Sequence, residues 1–105
     1  MSPNHFVYKL IPPRATFAAD MTEDEQTIMG EHGAYWTNLF ELGRVAVFGV
    51  VLDQTGCWGL AVVEAADEDE VRTIGSEDPA VKSQACTFEI GVMPDPLVRA
   101  GHTAT

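Results

Sequence analysis

Positive charge is scarce in this chain: 6 Lys and Arg stand against 16 Asp and Glu, a formal net charge of -10. Binding nucleic acid without regard to sequence requires a basic footprint that neutralises phosphates, and none exists here. The same deficit disfavours an anionic membrane surface. Cysteine is scarce too. Cys57 and Cys86 are too few for a disulfide framework and lack the CxxC spacing of a zinc site. They read as buried or half-buried thiols in strands, with no basic neighbour to lower their pKa. Long apolar runs are absent. The longest, residues 45–52, is interrupted by Gly49 and far too short to span a bilayer. The opening MSPNHFVYKLIPPR has no basic stretch followed by a long apolar one, so it is not a secretory signal, and a cytoplasmic protein is expected. There is no glycine-rich phosphate loop. The three histidines, His5, His32 and His102, are too far apart to suggest a metal site, so neither metal nor cofactor is expected.

What is present is a globular composition. Hydrophobic residues make up 46% of 105, enough for the core of one domain. Residues 1–94 are expected to form that domain, and 95–105 a tail of mostly small and polar residues. A first strand over 5–11 (HFVYKLI) is rich in aromatic and β-branched residues and stops at Pro12-Pro13. Residues 12–21 fit no regular period and read as a loop. Thr22-Glu23-Asp24-Glu25 is a capping box opening a helix over 22–42, with Gly43 as its stop. Along that helix Ile28, His32, Tyr35, Leu39 and Leu42 share one face, widened by Met29, Trp36 and Phe40.

Strands over 44–52 and 57–65 flank the turn Asp53-Gln54-Thr55-Gly56 and read as a hairpin. A short helix over 67–75 follows, then a Ser76-Glu77-Asp78-Pro79 break and a last strand over 85–93. The order βαββαβ predicts a ferredoxin-like α+β fold, a four-stranded antiparallel sheet with two helices on one face and the first strand between the third and fourth.

Such a sheet should show a polar second face. Here both faces are apolar. Val45, Val47 and Val51 are expected on one side of the second strand, and Ala46, Phe48, Val50 and Leu52 on the other. In the third strand Leu60 and Val62 oppose Ala61 and Val63. The helices cover one face only, so the other needs a partner. The simplest is the same sheet of a second copy, giving a homodimeric α+β barrel. The rival is a closed monomeric pocket for a large hydrophobic ligand.

His32 is the sharpest chemical feature, because imidazole on an apolar helix face needs a hydrogen-bond partner. It is either a satisfied core histidine or a general acid or base. Asp78 before Pro79 is either a turn residue or the carboxylate that holds such an imidazole. Tyr35, Trp36 and Trp58 are large aromatics for the core, an interface or a substrate pocket. Lys9 and Arg14 are rare cations, either of which could receive a substrate carboxylate, with a surface role as the alternative.

These segments together resemble the YCII-related family of dimeric α+β barrel proteins over about residues 5–93. The carrying motifs are VYKLIPPR, MTEDEQTIMGEHGAYW, GRVAVFGVVLDQTGCWGLAVVEA and SEDPAV. The resemblance implies a dimer and an active site pairing His32 with Asp78. It also implies a role for Gly49, where a ligand or backbone approaches closely. One relative is a dehydrochlorinase acting on a chlorinated hydroxyquinol, which implies lyase-type chemistry. The PPR…FAADMT segment is longer than in the shortest members and would lie near the pocket. Two functions follow as expectations. One is a cofactor-free His–Asp lyase or isomerase acting on a small cyclic or aromatic-derived metabolite, with Arg14, Tyr35, Trp36, Gly49 and Trp58 contacting substrate. The other is a non-catalytic dimeric module that binds a small ligand.

Overall fold

The computed structural model describes residues 4–99. The predicted tail beyond residue 99, with His102, lies outside the described residues. The elements in order are β1 (Asn4–Ile11), α1 (Phe17–Asp20), α2 (Glu23–Glu41), β2 (Val45–Asp53), β3 (Gly56–Ala65), α3 (Glu68–Ser76), α4 (Pro79–Lys82) and β4 (Thr87–Met93). The strands form one open antiparallel sheet in the order β2-β3-β1-β4. This is the ferredoxin-like α+β arrangement expected from the sequence. Phe6, Tyr8 and Leu10 of β1 pair with Val63, Ala61 and Gly59 of β3, placing one set of alternating side chains under the helices.

The α2 start is the expected capping box. Thr22 Oγ1 accepts from the Glu25 amide at 3.2 Å, and Glu25 Oε1 accepts from the Thr22 amide at 2.8 Å. Gly43 ends the helix at φ 80, a left-handed conformation that suits glycine. The apolar stripe buries His32 and Trp36, with Ile28, Met29, Tyr35 and Leu39 packed beside them. Phe40 and Leu42, also expected on the inner face, are exposed at the end of the stripe.

Two expectations need correction. Residues 12–21 are not all loop, because α1 occupies 17–20. One helical turn is too short to leave a periodic signal. Val45 also does not share a face with Val47 and Val51. A bulge between Val45 and Val47 inserts one residue, so Val45 pairs with Val63 in the core while Val47 pairs with Val62 on the open face. The extra residue resets the alternation.

Helix α3 sits close to the sheet at Gly75. A Cβ there would lie 2.7 Å from Tyr8 Cε1 and 2.8 Å from Phe88 Cε2. The absent side chain lets α3 approach the aromatic pair Tyr8–Phe88, and this brings the following Asp78 turn over Tyr8.

Candidate functional site

Asp78 is the N-cap of α4. Pro79 occupies the first turn, where a missing N–H is harmless. The backbone of Asp78 is extended at φ -62, ψ 126, the geometry favoured before proline. This local geometry turns the carboxylate inward, where it is 0% exposed.

Four donors meet it. Trp36 Nε1 donates to Oδ2 at 2.7 Å, and Tyr8 Oη donates to Oδ2 at 2.9 Å. The Ala80 amide donates to Oδ1 at 2.9 Å, and His32 Nδ1 lies 2.9 Å from both oxygens. Burial alone would raise the carboxyl pKa. The hydrogen bonds from His32 and Trp36, the His32 charge and the Ala80 amide outweigh it and hold Asp78 below the usual carboxylate range. The site therefore keeps a desolvated anion in the core. The Tyr8 hydroxyl is pushed well up, first by burial and then by that anion, so it remains a donor.

A carboxylate only accepts, so His32 Nδ1 carries the proton toward Asp78. Nε2 is then the imidazole nitrogen left for other chemistry. His32, 7% exposed, lines a cavity of about 310 Å³. The cavity lies between α2, the sheet and the segment carrying α1. Its wall is mostly hydrocarbon, from Leu10, Phe17, Met21, Met29, Phe48 and their neighbours. Cys57 and Cys86, both free thiols, also line it. Burial first, then the charge of Asp78, pushes Cys86 up to about 11, so it is a thiol at neutral pH and not a nucleophilic thiolate. An imidazole anchored by an ionised carboxylate and facing an apolar cavity can accept a proton and hold it, because the imidazolium formed sits beside the anion.

The residues expected to contact substrate divide. Gly49 and Trp58 line the cavity with His32. Trp58, however, lies in register with the open face, where Lys9 sits 4.9 Å over its ring and its N–H donates to Asp53 at 2.9 Å. Trp36 is 0% exposed and engages Asp78, and Tyr35 donates to the Ile74 carbonyl at 2.6 Å between α2 and α3. Neither lines the cavity.

Arg14 lies outside the cavity wall as well. Its Nη1 and Nη2 grip Glu25 at 3.0 and 2.7 Å, and its Nε reaches Asp20 Oδ1 at 2.8 Å. It also stacks on Phe17 at 5.3 Å. This clamp fastens α1, whose Phe17 and Ala18 cover the cavity, to the first turn of α2.

The sequence reading missed the tie between Tyr8 and Asp78, which are 70 residues apart. A hint exists: Tyr8 falls on the buried phase of a strand, and a buried phenol needs a partner.

Among the described residues no group of three or more His, Cys, Asp or Glu gathers as a metal site, and no helix is long and apolar enough to cross a membrane. Fold and site together define a small α+β protein built around a buried His–carboxylate pair, and residues 10–95 match the YCII-related domain. The chain belongs to the YCII-related family. No curated protein matches it.

Proposed function

We propose that this chain is a cytoplasmic, cofactor-free lyase or isomerase that uses the His32–Asp78 pair for acid–base chemistry on a small cyclic or aromatic-derived metabolite. The observation that carries this reading is His32 Nδ1 held at 2.9 Å by a fully buried carboxylate while the same ring lines an apolar cavity. In the forward step Nε2 takes a proton from a substrate carbon. The C–H electron pair becomes a new double bond. The leaving group departs with its own pair, or the proton returns at another carbon. Asp78 fixes the tautomer and stabilises the imidazolium without accepting the proton.

Support for a homodimer comes from the open sheet face, which carries Val7, Val47, Val51, Leu60 and Val62, with no helix over it among the described residues. A second copy of the sheet would cover that surface.

The test is turnover of an identified substrate by the purified chain. His32→Ala is expected to lower kcat about 10²–10⁴-fold, the usual contribution of a positioned acid–base group. Unchanged turnover in both His32→Ala and Asp78→Asn would sink the reading.

One observation favours a second reading, a non-catalytic dimeric ligand-binding module. Among the described residues no Lys or Arg lines the cavity to stabilise an anion developing away from His32. That reading requires saturable binding with no product.

A further inference from the structure

We propose that the molecule occupying the His32 cavity is uncharged, largely apolar, and presents one hydroxyl or N–H to His32, and that carboxylates and phosphates are excluded. This rests on the same site as the catalytic reading and names the class of compound it takes.

Three observations carry it. First, among the described residues no Asp, Glu, Lys or Arg lines the cavity, whose wall includes Leu10, Phe17, Met29 and Phe48. An anion placed there would lose its water and gain no counter-charge. Second, the nearest candidates for a counter-charge are already engaged. The Arg14 guanidinium is ion-paired with both Glu25 and Asp20. Lys9 stands over Trp58, on the sheet face opposite to that of Leu10. The Asp78 carboxylate, which would otherwise attract a cation, is 0% exposed and filled by four donors. Third, the overall charge of -10 repels anions at a distance.

Within the wall His32 is the strongest polar anchor. In the tautomer that gives its one ring proton from Nδ1 to Asp78, Nε2 is an acceptor and selects a ligand that donates. Size adds a limit. A dry apolar cavity of about 150 Å³ accepts benzene. One of about 310 Å³ has room for a substituted ring or a small bicycle.

The experiment uses the full chain and three probes sharing one ring: 4-methylphenol, 4-methylbenzoate and protonated 4-methylbenzylamine. Binding is followed by NMR through the His32 Cε1–H and the Met21 and Met29 methyl signals. The phenol is expected to bind roughly tenfold or more tightly than either ion. In His32→Ala the preference for neutral over anionic probes should survive, while 4-methylphenol should lose its advantage over 4-methylanisole, which has no donor.

Val50→Arg supplies the converse. Val50 lines the cavity yet is 70% exposed, so the fold should accept arginine, and the new cation should draw 4-methylbenzoate in. The proposal is overturned if benzoate binds the native cavity as well as the phenol, if no probe moves the cavity signals, or if Val50→Arg leaves benzoate binding unchanged. Absence of turnover alongside the neutral preference would overturn the catalytic reading and leave this one standing.

Discussion

Trp36 donates its indole N–H to Asp78 Oδ2 across 2.7 Å, with both side chains fully buried. The same carboxylate holds His32, so a residue that never reaches the cavity sets the charge behind the imidazole.

Trp36→Phe isolates that contribution. Phenylalanine keeps a ring in the core but removes one donor from a buried anion, at a cost of about 1–3 kcal/mol. The pH dependence has a definite sign. Asp78 is held below its ordinary value of 3.8, so it contributes stability above that pH and loses it as pH falls through the folded-state value. Removing the indole donor raises the folded-state value and narrows the gap. The variant should begin acid unfolding at a higher pH than the native chain. Urea midpoints between about pH 2 and 7 measure this. Parallel curves for the two proteins would mean that the indole bond contributes nothing to keeping Asp78 ionised.

His32→Ala and Asp78→Asn should separate in stability. Without His32, Asp78 keeps three donors, from Tyr8, Trp36 and Ala80. The loss should then be about 1.5–3 kcal/mol, the range for a bond to a charged group. The asparagine amide would instead bring its own N–H₂ among four donors that all need an acceptor. One side of the amide faces N–H and O–H groups it cannot satisfy, and the cost should reach about 3–5 kcal/mol. Denaturant unfolding decides. If the two variants lose equal stability, the imidazole is as structural as the carboxylate.

Local chemistry was legible in the sequence. The Thr22–Glu25 box and the Gly43 stop use residues within one turn of the helix end, so composition alone reveals them. Strand alternation separates Ala61 and Val63 from Leu60 and Val62, and the structure buries the first pair. Alternation failed at Val45, because the Ala46 bulge is set by pairing with β3 and leaves no mark on the strand itself. The apolar helix face marks His32 as an imidazole in need of a partner, and the family resemblance points to Asp78 as that partner. The Tyr8 and Trp36 donors could not, since they converge only after β1, α2 and α4 pack together. The scarcity of cations suggests Arg14 as a substrate contact or a surface residue, whereas the structure pairs it with Asp20 and Glu25, both close in sequence.

Gly75→Ala sets two effects against each other. Alanine favours a helix over glycine by about 1 kcal/mol. The added Cβ, however, meets Tyr8 and Phe88 at 2.7 and 2.8 Å, distances that force the rings or the helix to move. Overpacking of this kind costs about 1–3 kcal/mol, so steric conflict should win and the chain should be destabilised. Displacing Tyr8 also stretches its bond to Asp78. A rise in Tm would show that α3 can shift without cost.

Arg14→Gln should loosen the cover of the cavity more than it unfolds the protein. The guanidinium is partly solvated, and solvent weakens such pairs. Losing it frees α1 from Glu25 and Asp20, so amide exchange over residues 15–21 should accelerate while exchange in β1 and β3 stays unchanged. The clamp is acid-sensitive with a definite sign. Hydrogen bonding to Arg14 first, and to the Thr22 amide next, lowers Glu25 to about 2 from 4.5. Its stabilising effect is complete above about pH 4.5 and is lost as pH falls toward 2. Uniform exchange across the segment and the strands would contradict a local cover.

Val62→Lys tests the second copy proposed for the open sheet face. Val62 pairs with Val7 on one side and Val47 on the other, placing it in the middle of the uncovered valines. Lysine on that solvent-facing position leaves the helix-side core untouched, because Ala61 and Val63 hold the buried phase. A face that meets its own copy would bring two lysines together in an apolar interface, an arrangement that repels and desolvates both charges. Sedimentation velocity should therefore show a dimer for the native chain and a folded monomer for the variant. A native chain that sediments as a monomer across the concentration range would remove the dimer and leave the valine face in need of another partner. A variant that stays dimeric would place the interface elsewhere on the fold.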